Sequence, residues 1–168
     1  MSEEIRTPPY DNVAEQSVLG GMMLSKDAIA DVVEVLLGND FYKPAHENIY
    51  DAVVSLYGRG EPADAITVGD ELTKNGEIER IGGIAYLHSL IASVPTAANA
   101  GFYAEIVRER AVLRRLVEAG WTIVSGLAIG VDEARDLMDQ YFERFGGVRD
   151  YLDGVVKEAA KQGRSEEH

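Results

Sequence analysis

The sequence predicts an all-α protein, a small helical bundle followed by a long αα-hairpin. Apolar residues recur at helical spacing through most of the 168 residues, and no segment shows the convincing apolar–polar alternation of a half-buried strand. Glycine, proline and small polar residues divide the chain into segments of helix length. The predicted organisation is a flexible arm at residues 1–10, a bundle at 11–96, a hairpin at 97–160 and a disordered tail at 161–168.

Two helices are predicted in the segment DNVAEQSVLGGMMLSKDAIADVVEVLLG. Asp11 or Asn12 is expected to cap the first helix and Ser25 the second, because short polar side chains accept hydrogen bonds from free N–H groups of the first turn. Gly38 suits the position just after the second helix. The double glycine at 20–21 lowers helix propensity, but it lets a neighbouring helix approach closely.

Three more helices complete the predicted bundle. In KPAHENIYDAVVSLYGRG, Pro44 fits the first turn. In TVGDELTKNG, Thr67 with Asp70 resembles a capping box, and Gly76 ends the helix. The third is GGIAYLHSLIAS, and Pro95 disfavours helix at the residue before it, which marks a boundary.

The predicted hairpin begins with a long helix at roughly 97–125, with an apolar stripe that includes Phe102 and Ile106. A second helix is expected to start at Asp132, after the break SGLAIGV. A hairpin buries only part of two wide apolar stripes against itself, so the remainder is expected to pack on a second subunit. The residues predicted to mediate this self-association are Leu113, Val117, Leu137, Tyr141 and Phe145.

Composition limits the classes of function. Hydrophobic residues make up 46% of the chain, which is enough for a core, and the net charge of −13 argues against tight non-specific DNA binding. The absence of cysteine excludes disulfides and thiolate metal sites and fits a reducing compartment. The acidic N-terminus does not resemble a secretory signal, and no apolar run has the length of a membrane span. A cytoplasmic location without membrane binding is therefore expected.

Motifs for catalysis are not found. There is no phosphate-binding loop and no H-E-x-x-H metal motif, and no pair of carboxylates stands out as an acid–base couple. A lone helical histidine such as His46 is more often a packing or surface residue than a ligand. We therefore expect no catalytic residue, no metal and no cofactor. The basic residues at 108, 110, 114 and 115 alternate with glutamates and are interpreted as a solvated, salt-bridged face; a DNA-binding helix is the alternative.

Four segments together carry a family resemblance. AEQSVLGGMMLSKDAIADVVEVL, DFYKPAHENIYDAVVSLYGRGEPAD, IGGIAYLHSLIASVPTAANA and YAEIVRERAVLRRLVEAG resemble the N-terminal domain of the bacterial replicative DNA helicase, the DnaB family, over roughly residues 8–124. The resemblance implies a non-catalytic domain whose hairpins pair, with the dimers forming a hexameric collar on which primase docks. ATP hydrolysis then belongs to a separate RecA-like domain that this chain lacks, and a helicase loader is a further partner compatible with the resemblance.

The resemblance also implies a primase contact. In the family, an aromatic residue after the double glycine and aliphatic residues on the first hairpin helix contribute to it, and the matching positions here are Tyr86, Val117 and Ile123. The alternative is that all three are ordinary core residues.

From about residue 126 the helicase resemblance ends. The segment DEARDLMDQYFERFGGVRDYLDGVVKEAAKQG, within residues 126–163, is similar to a helical segment of bacterial family-A DNA polymerases. The catalytic aspartates and the nucleotide-binding helix of that family are not present, so polymerase activity is not implied. An incidental likeness, or a fused or designed helical chain without helicase function, are the alternatives.

Overall fold

The computed structural model describes residues 8–126, 132, 133 and 136, and within 121–126 it describes the backbone only. Over the described part, the chain forms α-helices and short 3₁₀ helices without any strand, as the sequence predicts. The helices are α1 (Asn12–Leu24), α2 (Lys26–Val35), α3 (Pro44–Gly58), α4 (Ala65–Lys74), α5 (Ile78–Ile81), α6 (Gly83–Ser93) and α7 (Ala100–Gly126), with 3₁₀ helices at Gly38–Asp40 and Ala97–Asn99. None of these helices is long and apolar enough to cross a membrane.

The chain divides into two compact units, Met1–Ala111 and Val112–His168, and the boundary falls inside α7. The first turns of α7 belong to the first unit because Ala100, Ala104 and Val107 are part of its apolar core. The predicted start of the hairpin, residue 97, coincides with the 3₁₀ helix that leads into α7. Residues 132, 133 and 136 of the predicted second hairpin helix are helical, and the rest of that helix lies outside the described residues.

Several predicted helix ends are confirmed. The Asp11 carboxylate accepts a hydrogen bond from the N–H of Ala14 at 2.9 Å, and the Ser25 hydroxyl accepts one from Ala28 at 3.4 Å. Pro44 occupies the first turn of α3. Gly76 follows the end of α4 with a φ of +72°, a conformation that glycine adopts without strain.

Two predicted ends are wrong. The capping box of α4 consists of Asp64 and Thr67, not of Thr67 and Asp70: the Asp64 carboxylate accepts from the N–H groups of Ile66 and Thr67, so α4 begins before Thr67. Those hydrogen bonds, with that of Thr67 as the largest cause, lower the pKa of Asp64. Gly38 does not end α2, because extended Leu36 ends it and Gly38 opens the next 3₁₀ helix.

The double glycine in α1 acts as predicted. A Cβ added at Gly20 would overlap the carbonyl oxygen of Leu90 in α6 and would lie 2.9 Å from its carbonyl carbon. At Gly21 an added Cβ would lie 3.2 Å from the Cβ of Ala100 in α7. Two neighbouring backbones therefore approach α1 here at distances that side chains would prevent.

The N-terminal arm and the long helix each show a feature that the sequence did not predict. Tyr10, at the end of the predicted arm, stacks on Tyr42 with ring centroids 4.3 Å apart, so this residue is held against the bundle. In α7, the side that packs on the bundle is made by Ala100, Ala104 and Val107, while Phe102 of the predicted stripe is 74% exposed.

Candidate functional site

A buried carboxylate–histidine pair joins α1 to α3. His46 is fully buried in the first turn of α3, and its Nδ1 lies 2.7 Å from Oε2 of Glu15, which is 1% exposed in the first turn of α1. The other oxygen of Glu15 accepts a hydrogen bond from the backbone N–H of Tyr42. Burying such groups is costly unless each is hydrogen-bonded, and here the two ionisable groups satisfy each other.

Tyr86 extends this pair to α6. Its hydroxyl lies 2.6 Å from Nε2 of His46, and the planes of the two rings are almost parallel, with an interplanar angle of 2°. The side-chain amide of Gln16 lies 3.5 Å from the same hydroxyl, at the outer limit of a hydrogen bond. Side chains of α1, α3 and α6 therefore meet in one network, which we call the Glu15–His46–Tyr86 network.

The partners assign the direction of each hydrogen bond. Glu15 acts as the acceptor for the Tyr42 N–H and for His46, so Nδ1 of His46 carries a hydrogen and donates it. For the neutral imidazole, Nε2 is then an acceptor, and the Tyr86 hydroxyl donates to it. The hydroxyl hydrogen of Tyr86 is thus donated to a hydrogen bond within the protein.

The ring of Tyr86 lies at the edge of the core. Tyr86 is partly exposed and packs against buried residues. Ile84, in the preceding half turn of α6, is 47% exposed, and its Cδ1 would lie 3.5 Å from a Cβ added at Gly69 of α4. Ile84 therefore lies on the side of α6 that meets α4, whereas the hydroxyl of Tyr86 is bonded to residues of α1 and α3.

The other predicted contact residues lie on α7 or beyond it. Val117 is 51% exposed and Leu113 is partly buried. Ile123 belongs to the backbone-only end of α7, and both Val117 and Ile123 fall in the second compact unit, whereas Tyr86 falls in the first. The predicted self-association residues at 137, 141 and 145 lie outside the described residues.

Sequence reasoning missed Glu15 and the partners of His46, although a signal was present. Glu15 occupies the same helical face as Leu19 and Met22, and His46 the same face as Ile49 and Val53, all of them buried. A charged or titratable residue in an apolar stripe is expected to have a buried partner. In the described part of the chain, no group of three or more metal-ligating side chains forms a metal site.

Arg108, one of the basic residues at 108, 110, 114 and 115, forms an ion pair within the first unit. Its Nη1 lies 3.3 Å from Oδ2 of Asp40, which is fully buried and also accepts a hydrogen bond from the N–H of Leu37 at 2.8 Å. Arg114 and Arg115 also have interactions with other groups. An arginine that neutralises a buried carboxylate is a poor phosphate ligand, which weakens the DNA-binding alternative.

Comparison with protein families identifies the fold. The family model for the DnaB-like helicase N terminal domain matches residues 7–109. The chain belongs to this family. The chain is 68% identical over 119 residues to the replicative DNA helicase DnaB of Mycobacterium leprae (strain TN), and 69% identical over 118 residues to that of Leifsonia xyli subsp. xyli (strain CTCB07). These matches cover 71% and 70% of this chain but only 20% and 26% of the helicases, so the chain spans about a quarter of their length or less.

Solved structures agree with this assignment. The chain is similar to the crystal structure of the N-terminal domain of DnaB helicase from Mycobacterium tuberculosis, with a TM-score of 0.79, 60% identity, and coverage of 82% of this chain and 99% of that one. The N-terminal domain of DnaB helicase from Helicobacter pylori, whose structure is described together with its interactions with primase, shares the fold at 24% identity and a TM-score of 0.60, over 69% of this chain and 90% of that one. The resemblance to family-A polymerases concerns a segment of which only residues 132, 133 and 136 are described, and it stays a prediction.

Proposed function

We propose that the chain is the non-catalytic N-terminal assembly and primase-docking domain of a replicative DNA helicase in the bacterial cytoplasm. The proposal rests on membership of the DnaB N-terminal domain family and on the high identity to two DnaB helicases. In this proposal, ATP hydrolysis and DNA translocation belong to other parts of the helicase, and the chain itself needs no cofactor.

Assembly is proposed to occur through the hairpin, giving dimers and a hexameric ring built as a trimer of dimers. The large exposed side chains of Phe102 and Val117 on α7 support this, because exposed apolar surface of this kind is normally covered by a partner. We expect light scattering at several concentrations to show dimers or larger species. Replacing Leu137 and Tyr141 together with glutamate should give monomers with helicity retained. A wild-type chain that is monomeric at high concentration would contradict this proposal.

Primase docking is proposed at Tyr86, Val117 and Ile123. The partial exposure of Tyr86 supports it, since a ring with an apolar body and a polar tip is a frequent interface anchor. In calorimetry with the cognate primase, Tyr86→Ala should weaken binding by about 1–2 kcal/mol. Tyr57→Ala, at another partly exposed tyrosine, is the matched control and should bind as the wild type does.

Because the Tyr86 hydroxyl is bonded to His46, Tyr86→Ala is also expected to lower the melting temperature. Binding is therefore compared well below the melting temperature of the variant. Equal weakening by Tyr57→Ala would show that the loss is not specific to the proposed contact. No binding by the wild-type chain would contradict primase docking itself.

A further inference from the structure

We propose that His46 is a positioning residue for the docking surface: it fixes the ring of Tyr86 in the orientation that a partner meets. This inference rests on the proposed docking of primase at Tyr86. His46 is fully buried, so it does not touch the partner and acts through Tyr86 alone.

The Tyr86 side chain is held at its far end. There the hydroxyl is 2.6 Å from Nε2 of His46. A tyrosine has two side-chain torsions, so fixing the hydroxyl restrains both of them.

His46 is itself restrained, so it cannot follow a moving tyrosine. Its Nδ1 is bonded to Glu15 at 2.7 Å, and Glu15 accepts the backbone N–H of Tyr42. Phe41 lies edge-on to the imidazole with ring centroids 6.4 Å apart. The orientation of Tyr86 is therefore set before any partner binds, and such preorganisation lowers the entropic cost of association.

The same geometry determines which chemical groups of Tyr86 a partner can contact. With the imidazole neutral and Nδ1 donating to Glu15, the Tyr86 hydroxyl donates its hydrogen to His46, so this hydrogen is not available to an acceptor on the partner. What the partner meets is the exposed part of the Tyr86 ring. We therefore expect an apolar side chain of primase to contact this surface, rather than a carboxylate or carbonyl group that would need a hydrogen-bond donor.

Two substitutions at His46 separate its two hydrogen bonds. In His46→Gln, the amide falls near the position of Nε2 and retains a partner for the Tyr86 hydroxyl, while the bond to Glu15 is lost. In His46→Asn, the amide falls near Nδ1 and retains the bond to Glu15, while Tyr86 is released. Both variants lose one buried hydrogen bond, so both should melt at lower temperature than the wild type.

We expect the two His46 variants to differ in their affinity for purified cognate primase. The affinity is measured by calorimetry on the full chain, at a temperature below the melting temperatures of both variants. His46→Asn should bind about fivefold more weakly than the wild type, and the conservative His46→Gln should remain within about twofold of it. Tyr86→Phe, which removes the same bond from the other side, should resemble His46→Asn, and the double variant should be no weaker than either. Equal affinity of His46→Asn and the wild type, or equal weakening by both His46 variants, would overturn the positioning role.

A second measurement does not depend on primase. In NMR spectra of the chain with ¹³C-labelled tyrosine, ring signals of Tyr86 should report a restrained ring in the wild type and in His46→Gln, and an averaging ring in His46→Asn. An unchanged ring in His46→Asn overturns the inference. If the wild type fails to bind primase while the ring responds as expected, the proposed function fails and the control of Tyr86 by His46 stands.

Discussion

Helices α1 and α6 meet at two places that are held together by opposite means. Gly20 faces the backbone of Leu90, and Gln16 faces Tyr86, so the two contacts lie one turn apart along both helices, which therefore run parallel. At the glycine contact, the absence of a side chain lets the backbones approach. At the other, side chains of three helices fill the space with hydrogen bonds.

The two contacts therefore respond differently to substitution. The glycine contact has no room for an added carbon, because a Cβ would overlap the carbonyl oxygen of Leu90. Removing an atom from the Glu15–His46–Tyr86 network costs stability, because Glu15 and His46 are buried and each would lose a hydrogen-bond partner. Close packing is broken by adding atoms, and a buried polar network is broken by removing them.

The largest effect is expected from removing the carboxylate of the network. Glu15→Ala leaves His46 fully buried without the acceptor for its Nδ1, and it leaves the N–H of Tyr42 without its acceptor. Leaving each of these two donors without an acceptor costs about 1–3 kcal/mol in the free energy of unfolding, which urea denaturation measures. Glu34→Ala, at an exposed glutamate of α2, is the control and should change it by less than about 0.5 kcal/mol. Equal losses in the two variants would show that the network contributes no stability.

A somewhat smaller loss is expected at the glycine contact. Gly20→Ala forces α6 away from α1, and overpacking of this kind costs about 2–3 kcal/mol. Gly58→Ala is the matched control, because an added Cβ there meets nothing within 4 Å at the end of α3. This control should be neutral or stabilising by up to about 1 kcal/mol, since alanine favours helix more than glycine does. If Gly20→Ala has the same urea midpoint of unfolding as the wild type, the result contradicts the close approach of the α1 and α6 backbones at Gly20.

The same contrast explains how much of the fold could be predicted from the sequence. The double glycine, the caps at Asp11 and Ser25 and the proline of α3 are local signals, and each was interpreted correctly. The capping box of α4 was assigned three residues too late, because Asp64 and Thr67 both suit an N-cap and only the hydrogen bonds distinguish them. The bundle-facing side of α7 was not identified, because alanines pack there while larger apolar residues such as Phe102 remain exposed.

The network was less predictable because its members come from three separate helices. Glu15 and His46 are 31 residues apart, and His46 and Tyr86 are 40 apart. Helical spacing places each on a buried face, but it does not say which faces meet. Tyr86 was singled out by family resemblance, and that resemblance gave no indication that its hydroxyl is bonded internally.

The smallest loss of stability is expected from removing a single buried hydrogen bond. This substitution tests whether a buried hydroxyl stabilises the fold without belonging to a network. The Tyr50 hydroxyl donates to the carbonyl oxygen of Leu36 at 2.6 Å, and the Tyr50 ring lies 5.2 Å from that of Phe41, centroid to centroid. Burial, followed by the nearby charges of Asp40 and Asp51, raises the pKa of Tyr50 to about 12. Because an unfolded tyrosine has a pKa of about 10, the folded state binds the proton more tightly.

The stability that this raised pKa contributes is therefore fully present below pH 10 and is lost as the pH rises from about 10 to about 12. The loss approaches about 3 kcal/mol above pH 12, as expected for a shift of this size. Tyr50→Phe should unfold about 1 kcal/mol more easily at pH 7, because the carbonyl oxygen of Leu36 loses its donor. In urea denaturation between pH 8 and 12, the stability advantage of the wild type over the variant should vanish near about pH 11 and be reversed at about pH 12. A difference that stays constant with pH would show that Tyr50 does not titrate differently in the folded state, and that its hydroxyl acts as a hydrogen-bond donor alone.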